Sequence, residues 1–200
     1  MHETFWYDEL MKPDYEIIAF KDAAAWRKWL DKNHAKVDGV WLRLYKKAST
    51  VPSVNYAEAL DDALCYGWID GQKKSYDAES FLQKFTPRRA KSMWSKHNIE
   101  HIARLTELDL MMPSGLEQVM RAQQDGRWAA AYDKPSEMVV PDEFMYELKH
   151  HPVAEKFFGT LNKTNTYAIA WRLQTAKTAE TRKRRQDKLI AMLNAEQKLL

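Results

Sequence analysis

The hydrophobic period changes along this chain, and that change limits the fold more than any other feature. In "VWLRLYKK", residues 40–47, Val40, Leu42 and Leu44 fall on one side and Trp41, Arg43 and Tyr45 on the other. A period of two marks a half-buried strand. Before it, Asp22 stands as a helix N-cap, with Trp26, Trp29 and Leu30 at i, i+3, i+4 spacing behind it. Gly39 closes the connection between the two. A chain that alternates between these periods builds helices against a sheet.

Further elements follow from local chemistry. Asn55 and Glu58 stand as N-cap and N3 of a helix with Tyr56, Leu60, Ala63 and Leu64 on one line, and Gly67 stops it. "WIDGQKKS" and "SFLQKFTP" read as two strands joined by the turn "YDAE", a basic antiparallel hairpin. A helix beginning near Ser95 is expected to turn Ile99, Ile102, Ala103 and Thr106 inward. Another from Pro113 carries Leu116, Val119 and Met120 and ends at Gly126. "DKPSEMVVPDE" has the prolines and aperiodicity of a linker. Beyond it Pro141 is expected at N1 of one helix and Pro152 opens another, and Thr178 caps a last one with Leu189, Ile190 and Leu193 on its apolar side. The expected fold class is α+β: a small antiparallel sheet of about three strands packed with helices, plus a helical C-terminal module. The division expected is an α+β domain over 1–135 and a helical module over 136–200.

Twelve per cent aromatic residues supply a core and the walls of a pocket. The single cysteine, Cys65, excludes an internal disulfide and a cysteine-cluster metal site. No apolar run approaches the ~20 residues of a membrane span, and the acidic start does not read as a signal peptide. These features predict a cytoplasmic protein. The net charge is only +3, but it is unevenly placed. Residues 71–104 hold 8 basic and 3 acidic side chains, and residues 161–200 hold 9 and 3. The acidic side chains gather in residues 1–70 and 105–160. Such islands attract an anion or pair within the fold.

"HNIEH", His97 to His101, has the H-x-x-E-H spacing of an inverted zinc-protease helix. With no third ligand in its surroundings it reads as a solvated helix face, and no metal or other cofactor is expected. Cys65, at the C-terminal end of its helix, reads as a small buried hydrophobe and not as a nucleophile. Arg182, Lys183, Arg184, Arg185 and Lys188 spread around the last helix with no aromatic among them.

The densest chemistry is in "FTPRRAKSMWSKHN", Phe85 to Asn98. Lys46 and Lys47 close one strand, Trp68 and Asp70 open the hairpin, and Arg88 and Arg89 leave it. Paired strands would gather these groups near the start of the Ser95 helix, whose free N–H groups attract anions. Arginine forks a phosphate or carboxylate, and tryptophan offers a stacking face. The expected ligand-binding set is Lys46, Lys47, Trp68, Asp70, Arg88, Arg89, Ser92, Trp94, Ser95 and Asn98, with Asp70 fixing the arginines. The competing structural reading is an Asp70–Arg88 pair that locks hairpin to helix.

The phrases "WLRLYKK", "YAEALDDALCYGWIDGQ", "FTPRRAKSMWSKHN", "GLEQVMRAQQDGRWAAAY" and "LQTAKTAETRKRRQDKLIAML" together resemble the YdeI/OmpD-associated family, the bacteriocin-protection proteins. The resemblance runs from about Phe20 to Leu193. It implies a bacterial cytoplasmic protein linked to resistance against antimicrobial peptides and to stress, with no established reaction or cofactor. Its pattern takes in Lys46, Lys47, Cys65, Gly67, Trp68, Asp70, Gly71, Phe85, Thr86, Pro87, Arg88, Ser92, Trp94, Ser95 and Asn98. His97 and His101 lie outside that pattern. The first nineteen residues, with Phe5, Trp6 and Tyr7, have no counterpart and read as a lead or an extra packing element.

Three function classes are consistent with these residues. The first is a protein that binds a small anionic ligand. The second is a nucleic-acid binder using the basic hairpin and the C-terminal basic helix. The third is an enzyme with Asp70 as general base, and no residue pattern supplies its nucleophile.

Overall fold

The computed structural model describes residues 15–134 and 136–200. The reading of Phe5, Trp6 and Tyr7 falls outside these residues. The chain divides into two compact units. The first runs to Ser92 and takes in Asn98–Ala129; the second consists of Met93–His97 and Ala130–Leu200.

The first unit is built on a four-stranded sheet of order β1-β2-β4-β3, with β1 Ile17–Ala19, β2 Val40–Tyr45, β3 Trp68–Ser75 and β4 Ser80–Pro87. Three strands are the ones read from the sequence, and β3 and β4 flank the "YDAE" turn as expected. The fourth, β1, is only three residues long and runs parallel to β2. It is a strand because a partner accepts it, and no local period announces it. The two strands of the hairpin slip in register between Asp70 and Lys73, where Gln83 Nε2 donates to the Gly71 carbonyl.

Helices α1 (Ala23–Asn33) and α2 (Tyr56–Cys65) pack against one face of this sheet. The Asp22 side chain caps α1 by accepting from the Ala25 amide, and Asn55 and Glu58 form a complete capping box on α2. Trp26 stacks on Trp29 with ring centres 5.3 Å apart and meets Phe85 of β4 at 5.6 Å. Its indole N–H donates to the Ala59 carbonyl, which ties α1 to α2. Val40, Leu42, Leu44, Leu60, Leu64 and Phe85 complete the core, each at most 2% exposed. Residues of this size contribute about 1.5–3 kcal/mol each when removed from water.

Helix α3 spans Lys96–Glu107 and α4 spans Pro113–Gln124. From Asn98 onward α3 buries Asn98, Ile102 and Leu105, while Ala103 and Thr106 face solvent. On α4 the buried residues are Gly115, Val119 and Ala122, whereas Leu116 and Met120 are exposed. The apolar lines read from the sequence are thus rotated. On α4 the reason is backbone contact: Gly115 lies on the end of α2, and the Met112 amide donates to the Cys65 carbonyl. Gly67, at φ +77, makes the turn that admits this approach.

The second unit is helical, with α5 Asp142–Leu148, α6 Pro152–Phe158, α7 Lys163–Gln174 and α8 Ala179–Asn194. Phe144, Leu148, Ala154, Ile169, Ala170, Leu173, Leu189, Ile190 and Leu193 form its core. Thr178 caps α8 as expected, and Asn162 caps α7. Met93–His97 belongs to this unit: Met93–Ser95 is extended, bridged from Ser95 to Tyr132 with the Tyr132 amide donating to the Trp94 carbonyl, and Lys96 and His97 begin α3. Pro141 precedes its helix as N-cap instead of opening it at N1. The stretch 133–143, expected as a linker, belongs to this unit, and Pro135 within it lies outside the described residues. No helix among the described residues is long and apolar enough to cross a membrane.

Candidate functional site

The ten residues singled out in the sequence divide between the units and between surface and core. Lys46, Lys47 and Arg89 are exposed in the first unit. Lys46 Nζ donates to the Ala78 carbonyl at 2.8 Å, so β2 reaches over the β3–β4 turn. Trp68 is 1% exposed, and its indole N–H donates to the His34 carbonyl. It packs edge-on against Trp29 at 6.0 Å, so it serves the core and presents no open face for stacking. Trp94, also 1% exposed, is likewise interior.

Arg88 is 7% exposed, and its amide donates to the Gly67 carbonyl, which sets the chain leaving β4. The turn that follows is self-bonded: the Ser92 amide donates to the Arg89 carbonyl and the Arg89 amide donates to Ser92 Oγ. Arg127, held by both oxygens of Asp125, donates to the Ser92 carbonyl at 2.9 Å. Asn98 is buried at 9% exposure.

Asp70 answers to α2. Its Oδ2 accepts the Tyr56 hydroxyl at 2.8 Å, and among the described residues it makes no ion pair with either arginine. Its side chain alternates onto the helix-covered side of the sheet, which carries it to Tyr56. Burial, and then the charge of Asp70, push the Tyr56 phenol far above its usual range, so it stays protonated and donates.

In the second unit, Ser95 is 7% exposed and bridged to Tyr132. The Lys96 amide donates to the Tyr132 carbonyl at 2.8 Å. The N–H group at the start of α3, expected to be open to an anion, is therefore committed to a backbone partner. Lys96 Nζ pairs with Asp133 at 2.5 Å, which raises the lysine and, with Gln174, lowers the carboxyl.

The other motifs resolve in the same way. In "HNIEH", His101 Nδ1 lies 2.6 Å from Asp61 Oδ1, and Arg104 pairs with the same carboxylate. No group of three metal-ligating side chains occurs among the described residues. Cys65 is fully buried, and burial pushes its thiol up.

A cleft of about 410 Å³ opens in the second unit, lined by Glu143, Lys177, Thr178, Arg182, Lys183 and Gln186 among others. It is within the size range of small-molecule sites. Its floor is the start of α8, where the Thr178 side chain accepts from the Thr181 amide. Arg182 reaches Glu143 only at 3.9 Å, Lys183 pairs with Asp187 at 2.5 Å, and Lys177 makes no ion pair among the described residues. The sequence marked α8 as basic. It did not indicate that the cations at its start share a concavity, because the opposite wall, Glu143, is 34 residues or more away in the chain.

Two family models match the chain. Residues 18–118 match a domain of unknown function (DUF8412), and residues 137–196 match Bacteriocin-protection, YdeI or OmpD-Associated. The "ALCYGWIDG" and "FTPRR" phrases fall under the first model, and "AKTAETRKR" falls under the second. The cleft lies within the second match. No curated protein and no solved structure matches the chain.

Proposed function

The chain belongs to the family of the domain of unknown function DUF8412 and continues into a bacteriocin-protection (YdeI/OmpD-associated) match; from that membership we propose that it is a cytoplasmic protection protein that works by binding an anionic ligand carrying phosphate or carboxylate. The observation that carries the reading is the cation-lined cleft at the start of α8, within the residues that match the bacteriocin-protection family. Lys177, Arg182 and Lys183 neutralise the ligand's charge, and the guanidinium of Arg182 forks two of its oxygens. The first amides of a 16-residue helix lie at the cleft floor and favour the same sign of charge. Glu143 opposes it, so a bound anion displaces Glu143 from Arg182.

Of the exposed cations of the expected set, Arg89, just beyond the end of β4, is the alternative address for the anion in the first unit, whereas Lys46 and Lys47 lie at the other end of the β2–β4 pair, beside the β3–β4 turn. Arg88 and Trp68 would then serve as its frame. The single buried thiol accords with a reducing compartment.

The test is a thermal-shift panel of phosphorylated metabolites, nucleotides and carboxylates on the wild type, Arg182→Ala and Arg89→Ala. A ligand at a hundredfold its Kd stabilises by about 2.7 kcal/mol, or roughly 5–10 °C for a chain of this size. A shift lost only in Arg182→Ala supports the cleft, and one lost only in Arg89→Ala moves the site to the first unit. A panel without any shift overturns the reading.

A further inference from the structure

Glu143, the wall of the α8 cleft, begins a line that continues along the second unit. Glu147 and His151 follow it at i+4 and i+8, and they line a second cleft of about 350 Å³. Asp187, Ile190, Ala191 and Asn194 of α8 form its other wall. Contacts advance together on the two sides. Glu143 meets Arg182, the charge of Glu147 acts on Lys183, and Asn194 Oδ1 accepts the Ala154 amide of α6. The α5–α6 segment therefore runs beside α8 in the same direction, and the two clefts are successive parts of one groove. They join at the Lys183–Asp187 pair, 2.5 Å apart, whose lysine lines the first cleft and whose aspartate lines the second.

Charge is sorted along this groove. Lys177, Arg182 and Lys183 stand at one end, together with the first amides of α8. Glu147 and Asp187 stand at the other, with His151 Nε2 3.7 Å from Glu147. With Glu143 included, three cations face three carboxylates, so the groove is neutral as a whole and polar along its length. Helix stabilisation accounts for the i, i+4 pair of Lys183 and Asp187. It does not account for Lys177, which makes no ion pair among the described residues, or for Glu147, whose pair with His151 is ionic only when the histidine is protonated. A simple anion would answer the first end and leave Glu147 idle, and a simple cation would do the reverse. A molecule that is neutral overall but carries separated charges answers both. Arg182 and Asp187 lie five residues apart on α8, about 7.5 Å along its axis. An extended peptide covers about 3.5 Å per residue, so the free ends of two or three residues match that spacing.

We propose that the groove between α5 and α8 binds a small zwitterion of this length, the class of a di- or tripeptide with free ends. Its carboxylate lies on Lys177 and Arg182, and its ammonium lies on Glu147 and Asp187. The inference rests on the reading of the α8 cleft as an anion site and adds the half that takes a cation. The incoming ammonium competes with Lys183 for Asp187, which releases Lys183 toward the carboxylate. Ile190, 5% exposed, gives the second cleft an apolar floor for the ligand's carbon chain.

The experiment is a proton–nitrogen NMR titration of the full chain at low ionic strength. The probes are trialanine, N-acetyl-trialanine, trialanine amide and inorganic phosphate. Trialanine is expected to shift the amides of residues 179–183 and 187–194 together. It should bind about fivefold more tightly than either blocked form, the share of one exposed charge pair. Glu147→Gln should abolish the preference for trialanine over N-acetyl-trialanine and leave the affinity for N-acetyl-trialanine unchanged. A purely structural Glu147 would weaken both alike. Arg184→Ala, exposed on α8 and outside both clefts, should change nothing. Circular dichroism checks the fold of each variant, and Asp187→Asn replaces Glu147→Gln if the latter is unfolded. Equal affinity for trialanine and N-acetyl-trialanine overturns the zwitterion and leaves the anion cleft standing. Absence of binding by all four probes overturns both. A preference that survives in Glu147→Gln, or shifts confined to residues outside the groove, also overturns the proposal.

Discussion

Gly115 of α4 stands so close to the end of α2 that a β-carbon on it would lie 2.1 Å from the carbonyl oxygen of Cys65. That oxygen already accepts the Met112 amide, so it is fixed from two directions. The Ser114 hydroxyl donates to the Tyr66 carbonyl beside it. The start of α4 is therefore docked by backbone on backbone, and its larger apolar residues point outward. Gly115→Ala is expected to cost about 3 kcal/mol, because the obstacle is rigid main chain and not a flexible side chain. Leu116→Ala, one residue on and 39% exposed, should stay within about 1 kcal/mol of wild type. Urea unfolding of the two variants checks the contrast.

Tyr56 and Asp70 make a second prediction, on the alkaline side. The phenol's folded pKa is raised, so the folded state holds this proton more tightly than the unfolded chain does. The stability it contributes is fully present below the ordinary tyrosine pKa of about 10 and is lost as pH rises beyond it. Asp70→Asn removes the charge contribution and leaves burial. Absorbance titration at 295 nm should then show one tyrosine ionising at lower pH than in wild type, and alkaline unfolding should be less steep. An unchanged titration would mean that Asp70 does not govern this tyrosine.

The β3–β4 turn is predicted to loosen in acid. Asp77 accepts from the Ser80 hydroxyl and from the Glu79 and Ser80 amides, and pairs with Arg43. The hydroxyl bond, first among these, holds its carboxyl below the usual range. A depressed carboxyl contributes stability above its unfolded pKa of about 3.9 and loses it as pH falls through the folded value. Hydrogen exchange should show protected Glu79 and Ser80 amides near neutral pH and a loss of that protection as pH falls below the ordinary carboxyl range. Asp77→Ala should lack the protection at every pH.

In the second unit Asn165, 3% exposed, closes the end of the described chain onto α7. Its Oδ1 accepts the Leu199 and Leu200 amides, and its Nδ2 donates to Asn162 Oδ1. Asn165→Asp keeps the acceptor and loses the donor, whereas Asn165→Leu loses both. We expect a cost of about 1–3 kcal/mol for Asn165→Leu and less for Asn165→Asp. Exchange at the Leu199 and Leu200 amides should accelerate only in Asn165→Leu. Equal rates in both variants would refute the clamp.

What could be read in the sequence was whatever short-range chemistry decides. Asp22, Asn55 with Glu58, and Thr178 cap helices because the donors they satisfy lie within three residues of them. "YDAE" turns the hairpin because its aspartate bonds its own neighbours. Alternation in β2 sorted its side chains correctly between the helix-covered face and the opposite one.

Tertiary structure decided the rest. β1 is a strand only by lying beside β2, since three residues carry no period of their own. The apolar lines of α3 and α4 turned because burial depends on the neighbour's shape, and at Gly115 the neighbour is a carbonyl oxygen. Composition could count Trp68 and Trp94 but not place them, and burial made both interior residues. Asp70 left the arginines for Tyr56 because the pleat carries it to the helix side. The cleft on α8 needs a wall from α5, and Lys74 and Lys84 meet the Trp41 ring only because three strands lie in register. Such groupings join residues far apart in the chain, and only the closed fold brings their charges within reach of one another.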